Sequence, residues 1–310
     1  MSFLLLIAGF VILFFSGDWL VKASVNLARH FNVSTLVIGV TVVAFGTSAP
    51  ELLVSLKAVF SDSSDISIGN VVGSNIANIA LVLGLVSIVF PVKVKRKAVW
   101  IDWLVMMVAS VGLYIASINN KVSFVEGVIF LVLLSSYLLF SVWKSRKETK
   151  ENTEEIQKPD ISLLKAFGFF LLSTIGLYFG ADWLIRGAKD LAINFGISER
   201  VVGLTVVAFG TSVPELATSL IAAIKKESDI SIGNIIGSNI FNIWAVLGLT
   251  SVIKPISVSN ELIKVDYSWM VGIAILLLVL LLPLSKGVIS RWKGVMLLLL
   301  YVTYIYILFI

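Results

Sequence analysis

The chain contains the segment TVVAFGTSAPELLVSL at residues 41–56 and almost repeats it, as TVVAFGTSVPELATSL, at residues 205–220. The two copies are 164 residues apart, and 13 of their 16 positions are identical. A second segment, DISIGNVVGSNIANI at residues 65–79, returns at the same offset as DISIGNIIGSNIFNI, with 12 of 15 positions identical. Two long matches at one offset indicate an internal duplication. The chain is therefore built from two related units.

The composition excludes an ordinary soluble protein. Of the 310 residues, 58% are hydrophobic and only 14% are charged, and the mean hydropathy is +1.01. Such values are typical of an all-α integral membrane protein rather than of a soluble enzyme or a nucleic-acid-binding protein. The net charge of +5 does not indicate a nucleic-acid partner, because the basic residues lie in short clusters between apolar segments. The absence of cysteine excludes disulfides and thiolate metal sites, and there is a single histidine, His30.

Hydropathy predicts five membrane spans in each unit. Residues 1–143 form the first unit, residues 144–162 a hydrophilic linker, and residues 163–310 the second unit. The apolar start of the chain has no basic leading region, so we interpret it as the first span and not as a signal peptide. The predicted spans are residues 2–20, 34–59, 66–90, 98–117, 122–143, 163–184, 199–224, 230–253, 266–284 and 290–309.

An odd number of spans per unit predicts that the two units cross the membrane in opposite directions. The positive-inside rule tests the orientation. With a cytoplasmic linker, 17 of the 24 Lys and Arg residues fall in inner loops and 7 in outer loops. We therefore expect two inverted five-helix repeats in a cell membrane, with both termini outside.

Two carboxylates lie well inside predicted spans, at equivalent positions of the two units: Glu51 and Glu215. A carboxylate at membrane depth costs several kcal/mol and needs a partner or a function. No basic residue in the same stretch can pair with either glutamate. The remaining acids are expected in loops or near helix ends, where a structural role is the simpler interpretation; those assigned to helix ends are Asp18, Asp102, Glu126, Asp182 and Asp266.

A proline precedes each glutamate directly. Pro50 lacks the N–H that would bond the carbonyl of Gly46, and its ring clashes with that carbonyl, so we expect a broken helix at this point. The hydroxyl of Thr47 would then join the freed carbonyl and the Glu51 carboxylate. The second unit repeats the set with Gly210, Thr211, Pro214 and Glu215. Helices broken near the midplane coordinate ions in many inverted-repeat transporters.

The second repeated segment adds neutral oxygens. Ser74 and Asn78 are four residues apart and project from one side of a helix, as do Ser238 and Asn242. Such residues also hold membrane helices together, and Asn70, Asn75, Asn234 and Asn239 have this simpler interpretation. An all-oxygen set suits hard cations such as Ca²⁺ or Na⁺. One Ca²⁺ neutralises two carboxylates, whereas a single Na⁺ does not. This charge balance favours the exchange of one Ca²⁺ for several Na⁺.

The paired GTSxPE and GNxxGSNIxN motifs closely resemble the α-repeats of the sodium/calcium exchanger family, within the cation/Ca²⁺ antiporter superfamily. The resemblance covers nearly the whole chain, and the short linker resembles that of prokaryotic members. It implies Ca²⁺ binding by Thr47, Glu51, Thr211 and Glu215. It also implies Na⁺ contacts from the carbonyls of Ala44 and Ala208 and from Ser48, Ser74, Ser212 and Ser238, with Asn78 and Asn242 completing the centre. Some archaeal and K⁺-dependent relatives have Asp where this chain has Asn242, so K⁺ cotransport is not expected.

These expectations describe an antiporter and not an enzyme. Na⁺ and Ca²⁺ are the transported ions, the lipid bilayer is the surroundings, and neither a cofactor nor an obligatory protein partner is expected. The resemblance implies alternating access, in which the first and sixth spans slide across a core that carries both repeats. A Ca²⁺/H⁺ exchanger remains an alternative, because protons could displace Ca²⁺ from the same carboxylates. A cation channel is a weaker alternative, and an intramembrane hydrolase lacks a Ser/His/Asp set.

Overall fold

The computed structural model describes residues 2–94, 96–151, 158–195, 210–281 and 287–308, and these are almost entirely helical. We number twelve helices within these ranges: α1 Ser2–Phe31, α2 Thr35–Thr47, α3 Ala49–Phe60, α4 Ser64–Val89, α5 Arg96–Ala116, α6 Phe124–Glu151, α7 Leu163–Asn194, α8 Val213–Ile224, α9 Ser228–Ile253, α10 Asn260–Lys264, α11 Asp266–Leu281 and α12 Arg291–Ile307.

Most of the ten predicted spans correspond to helices of sufficient length and hydropathy. Within the described residues, seven helical segments can cross a membrane, and α2 with α3 forms an eighth span that is bent by 43°. The predicted span at 199–224 lies partly outside these residues. Its described part contains the 12-residue helix α8. The predicted last span corresponds to α12, which has 17 residues.

The helices α1 and α7 are longer than hydropathy predicts. They have 30 and 32 residues, or about 45 Å, which exceeds the ~30 Å hydrocarbon core. Hydropathy detects only the apolar part of a helix, so both predicted ends, at residues 20 and 184, are too early. The expectation that Asp18 and Asp182 lie near helix ends is therefore wrong, since each lies well inside its helix.

These two helices pack against each other in antiparallel fashion along their whole length. Gly9 lies against the backbone of Gly180, and a Cβ at Gly9 would be 2.6 Å from the backbone nitrogen of Leu184. At one end of the pair, Ser2 donates a hydrogen bond to Asp190 at 3.4 Å, and at the other end Arg29 pairs with Asp160 at 2.7 Å. Glycine thus permits close approach of two long helices that are otherwise largely exposed.

The helices α4 and α9 form the centre of the molecule. Their most apolar windows are 83% buried, against 33% for α1 and 28% for α7. Ile68 and Ile76 of α4, like Ile232 and Ile240 of α9, have no exposed surface. Each helix contains a π-helical turn, at Asn78–Val82 in α4 and at Asn242–Leu247 in α9. The duplicated segments in α4 and α9 therefore form the buried core, whereas α1 and α7 are much less buried.

Four short strands connect the two units: β1 Val92–Lys93, β2 Lys121–Val122, β3 Ile256–Ser257 and β4 Val288–Ile289. β1 pairs with β4 and β2 with β3, both antiparallel. The repeat offset relates β1 to β3, and it relates β2 to β4 with a shift of three residues. Each two-stranded sheet therefore combines one strand from each unit.

Candidate ion-binding site

A break in the helix positions the first candidate ligands. α2 ends at Thr47, Ser48 leaves helical geometry with φ −85° and ψ 3°, and α3 begins at Ala49 with Pro50 in its first turn. Proline is tolerated there because the first N–H groups of a helix have no intrahelical partner. The expected break is therefore present, two residues before the proline.

The second unit has the same geometry. Ser212 has φ −85° and ψ 1°, and α8 begins at Val213 with Pro214 in its first turn. The two breaks therefore agree within a few degrees, although they are formed by different parts of the chain. The repeated sequence encodes one local structure twice.

Each break places a glutamate in the first turn of the following helix. Glu51 and Glu215 both have 0% exposed surface. No ion pair between described residues involves either glutamate, and both carboxylate oxygens of Glu51 and Oε2 of Glu215 have no hydrogen-bond partner. The positive end of the helix dipole offsets only part of the cost of burying an ionised carboxylate. Among the described residues, no positive charge compensates the two carboxylates.

The two glutamates meet at the centre of the molecule. Ser48, three residues before Glu51, donates a hydrogen bond from its hydroxyl to Oε1 of Glu215 at 3.5 Å. Ser48 thereby brings the Glu215 carboxylate next to the segment that carries Glu51. Two like charges close together repel each other in a low-dielectric interior. A cation between them would remove both the repulsion and the unpaired charge.

Neutral hydroxyls from both units surround the carboxylates. The hydroxyl oxygens of Thr47 and Ser238 are 3.2 Å apart, and Ser238 donates to Oε1 of Glu215 at 3.4 Å. The hydroxyls of Ser74 and Thr211 form the equivalent pair, also at 3.2 Å. In both pairs, one residue comes from each unit. The hydroxyl of Ser212 is buried and has no partner.

Two asparagines complete this centre, each as the first residue of a π-helical turn. Asn78 and Asn242 both have 0% exposed surface. Neither amide atom of Asn78 has a partner, whereas Asn242 donates to Oδ1 of Asn75 at 3.1 Å and leaves its own Oδ1 unpartnered. π-helical turns inside α-helices are frequent at functional sites. These turns contact the two helices that carry the buried glutamates, so the unpartnered oxygens of both amides lie in the same part of the core.

The site therefore consists of oxygen donors. Within the described part of the chain, no group of three or more His, Cys, Asp or Glu residues is placed to hold a metal ion. Soft metals prefer imidazole or thiolate, whereas carboxylate, hydroxyl, amide and carbonyl oxygens suit hard cations. Among the predicted site residues, unpartnered buried oxygens belong to Glu51, Glu215, Asn78, Asn242 and Ser212.

Of the two carbonyls that the family resemblance implies as ligands, only that of Ala44 belongs to the described residues. The carbonyl of Ala44 accepts from the backbone N–H of Ser48 at 2.9 Å and from the Thr47 hydroxyl at 3.4 Å. Ala208 lies outside the described residues. All the other predicted site residues are described, and they belong to the segments that meet at the two breaks.

Sequence reasoning missed one pair of buried acids. Asp102 lies six residues into α5, is only 7% exposed and accepts a hydrogen bond from Tyr137 at 2.7 Å. Asp266, its counterpart at the repeat offset, is also 7% exposed and accepts from Tyr304 at 2.6 Å. The expected position near a helix N-terminus is correct for Asp266, but both side chains are buried. The two acids match at the repeat offset of 164 residues, whereas the two tyrosines are 167 residues apart, so only the acids gave a signal at that offset.

The surroundings of the site are not symmetric. Thr47 is completely buried, whereas its counterpart Thr211 is partly exposed. α1 packs along α8, where Gly17 lies against Ile221, but among the described residues α7 makes no comparable contact with α3. Accordingly, Leu53 of α3 is 53% exposed. The site is thus more accessible on the α3 side than on the α8 side.

An apolar helical bundle with broken helices around a buried all-oxygen centre is typical of membrane proteins that transport hard cations. Comparison with known proteins is consistent with this class. A sequence model of the family described as sodium/calcium exchanger protein matches residues 1–143 and 165–310. The chain belongs to the sodium/calcium exchanger family, whose members are cation/Ca²⁺ antiporters.

Individual relatives match over nearly the whole chain. A membrane protein of Methanocaldococcus jannaschii, MJ0091, is 39% identical over 95% of this chain and 93% of its own length. The sodium/calcium exchanger MaX1 of Methanosarcina acetivorans is 31% identical over 99% of this chain and 98% of its own length. The sodium-calcium exchanger NCX_Mj, in a structure soaked without Na⁺ and Ca²⁺, matches with a TM-score of 0.84 and 35% identity over 98% of both chains.

Proposed function

We propose that this chain exchanges Na⁺ for Ca²⁺ across a cell membrane by alternating access. One observation carries the proposal: two completely buried glutamates, linked through Ser48, have no basic partner among the described residues, and three of their four carboxylate oxygens accept no hydrogen bond. Such a pair is stable when it binds cations that neutralise it. The transported ions themselves supply that charge.

In this proposal, Ca²⁺ binds between Glu51 and Glu215 and to the hydroxyls of Thr47 and Thr211. Na⁺ binds around the same carboxylates, through Ser48, Ser74, Ser212, Ser238 and the carbonyls of Ala44 and Ala208, with Asn78 and Asn242 at the centre. One Ca²⁺ balances two carboxylates, and several Na⁺ are needed for the same effect. The two ions therefore compete for shared oxygens, and their concentrations decide which ion is bound.

The moving part of the proposed mechanism is the antiparallel pair α1 and α7. Among the described residues, it is one of the less buried parts of the bundle, and it contacts α2 and α8 but makes no comparable contact with α3. Sliding of this pair across the core would close one side and open the other. Glu51 and Glu215 couple the two fluxes, because two unneutralised carboxylates cannot cross the apolar barrier at acceptable cost.

The strand pairing supports an inverted arrangement of the two units. Because α5 crosses the membrane between β1 and β2, these strands lie on opposite faces of the membrane. With parallel units, β4 would lie on the same face as its counterpart β2, away from β1. Because β1 pairs with β4, these two strands must lie on the same face of the membrane. They do so when the two units cross the membrane in opposite directions. The charge distribution then assigns the linker to the cytoplasm and both termini to the outside.

The deciding experiment is Ca²⁺ uptake into proteoliposomes that contain the purified chain, at clamped pH and membrane potential. We expect uptake when Na⁺ is loaded inside, none when choline replaces it, and no further stimulation by K⁺. Uptake that follows an imposed proton gradient and ignores Na⁺ would overturn the proposal in favour of Ca²⁺/H⁺ exchange. Glu51→Gln vesicles provide the control for leakage.

A further inference from the structure

Asn234 connects the two units beside the candidate site. Its Nδ2 donates to the hydroxyl of Ser219 at 3.0 Å, and its Oδ1 lies 3.0 Å from the hydroxyl of Thr47, which belongs to the other unit. Asn234 has no exposed surface. The bond to Ser219 fixes which amide atom faces Thr47, and this atom can only accept a hydrogen bond.

We propose that Asn234 is a positioning residue that turns the Thr47 hydroxyl into a cation ligand. A hydroxyl carries one proton and two lone pairs. When the proton points at Oδ1 of Asn234, the lone pairs remain for the Ser238 hydroxyl, 3.2 Å away, and for an approaching ion. Without Asn234, the proton would be free to turn toward Ser238 or the carbonyl of Ala44, and no lone pair would be held in place for the ion. This inference rests on the proposed function and adds an orienting residue to its ligand set.

The variants Asn234→Ala and Ser219→Ala test the role through ion affinity. Both should raise the KM for Ca²⁺ by about three- to tenfold with little change in the maximal rate, the size expected for loss of one hydrogen bond. Because the effect acts through Thr47, Asn234→Ala should cause no further change in a Thr47→Val background. Asn239→Ala is the matched control, since Asn239 lies on the same buried helix and donates only to the carbonyl of Ile235.

The outcomes separate positioning from a structural role and from the proposed function. Equal KM values for Asn234→Ala and Asn239→Ala, or additive effects of the Thr47 and Asn234 variants, would overturn the positioning role. If Asn234→Ala does not fold, Ser219→Ala tests the same contact from its other end. Absence of Na⁺-driven flux in the unsubstituted chain would instead contradict the proposed function.

An ion pair elsewhere carries a second, independent inference. Asp18 of α1 forms an ion pair with Lys225, the residue that follows α8, and another with Lys22 of its own helix at 2.8 Å. In the second unit, Asp182 pairs with Arg186 at 2.9 Å, which repeats the pair within one helix. The counterpart of Lys225, however, is Ser61. At this pair of equivalent positions, the ion pair between a long helix and the core can therefore form on the α8 side only.

We infer that Asp18 and Lys225 form a one-sided latch that favours the orientation seen here, in which α1 rests on α8. Sliding of α1 and α7 would break this pair and bring Asp182 toward Ser61, which offers no charge in return. The two orientations would thus differ in stability by an ion pair. The latch rests on the proposed sliding movement.

The absence of cysteine permits a direct test with single-cysteine reporters. Ala217→Cys reports the α8 surface that α1 covers. Lys225→Ser should increase its rate of maleimide labelling by about two- to fivefold, the size expected for a partly exposed ion pair. Ser61→Lys, which supplies a cation for Asp182, should also increase labelling. The double variant with Lys225→Ser and Ser61→Lys should increase it most.

Lys22→Ser removes the same charge but no bond to the core, so its labelling rate should not change. Equal labelling of Lys225→Ser and Lys22→Ser, together with normal Na⁺-driven flux, would overturn the latch and leave the proposed function intact. If Lys225→Ser does not fold, Ser61→Lys still decides, because it keeps Lys225 and creates the opposite pair.

Discussion

The hydroxyl of Ser48 lies 3.5 Å from the carboxylate of Glu215, although 167 residues separate them in the chain. Ser48 occupies the break of the first unit, and Glu215 follows the break of the second. Their contact means that neither unit contains a complete set of oxygens. In the proposed function, ion binding therefore depends on the interface between the two breaks, and substitutions in either unit should affect the same ions.

Removal of one buried charge should abolish Ca²⁺ exchange. Glu51→Gln or Glu215→Gln leaves a single carboxylate, which cannot neutralise Ca²⁺, while the similar volume of glutamine preserves packing. We expect Na⁺-driven ⁴⁵Ca²⁺ uptake to fall to the level of empty vesicles, with unchanged elution in size-exclusion chromatography.

Asp102→Asn is the matched control, because it also removes a buried negative charge. Asp102 accepts from Tyr137, and asparagine keeps an oxygen in that position. Exchange should therefore continue at a rate close to that of the unsubstituted chain. Loss of exchange in all three variants would mean that the site has been assigned to the wrong residues.

Calcium should stabilise the folded chain against heat. A ligand that binds only the native state at 100 times its Kd adds about 2.7 kcal/mol to the free energy of unfolding. Thermal unfolding in detergent, followed by tryptophan fluorescence, should shift upward with Ca²⁺, and Glu215→Gln should remove the shift. A Ca²⁺ shift that persists in this variant would place the bound ion elsewhere.

Asn242→Asp should make exchange dependent on pH. A protonated aspartate keeps a donor for Oδ1 of Asn75, as Asn242 does at 3.1 Å, so the variant should resemble the unsubstituted chain at low pH. As the pH rises, ionisation adds a third buried negative charge and removes that donor. The ratio of variant to unsubstituted flux should therefore change with pH, whereas a constant ratio would contradict the central position of Asn242.

The close contact of α1 with α7 should not tolerate an added methyl group. A Cβ at Gly9 would lie 2.6 Å from the nitrogen of Leu184 and 2.8 Å from the carbonyl oxygen of Gly180. Gly9→Ala should lower the free energy of unfolding by about 1–3 kcal/mol, as for other overpacked contacts. Gly272→Ala should be neutral or stabilising, because nothing lies within 4 Å of its Cβ and alanine favours helix.

Cysteine labelling should establish the orientation in the membrane. A membrane-impermeant maleimide should react in right-side-out vesicles with Asn119→Cys and Glu261→Cys, which are exposed near the β2–β3 sheet. Lys158→Cys, at the end of the linker, should react only after permeabilisation. The reverse pattern would place the linker outside, and different sidedness of Asn119 and Glu261 would contradict the inverted repeat.

The sequence was sufficient to predict the features that depend on local chemistry. The proline in each GTSxPE segment predicts a broken helix. The structure has these breaks at Ser48 and Ser212. The buried position of Glu51 and Glu215 follows from their apolar surroundings. The repeat offset also identified equivalent positions, since any feature of one unit is expected in the other.

Other features depend on contacts that a local pattern does not encode. The extension of α1 to Phe31 was missed because helices continue beyond the apolar stretch that hydropathy detects. The burial of Asp102 depends on Tyr137, 35 positions away on a neighbouring helix. The difference between Thr47 and Thr211 reflects where α1 and α7 lie on the core, and two nearly identical motifs cannot encode a difference in position.

The hydroxyl pairs Thr47–Ser238 and Ser74–Thr211 join opposite units. Under the inverted arrangement proposed above, two separate copies of one unit, inserted into a bilayer in opposing directions, would make the same contacts as an antiparallel homodimer. Joining two copies in one chain frees each copy from identity with the other. Lys225 could arise without a matching change at Ser61, and an ancestral carrier with two equivalent directions could acquire a preferred one.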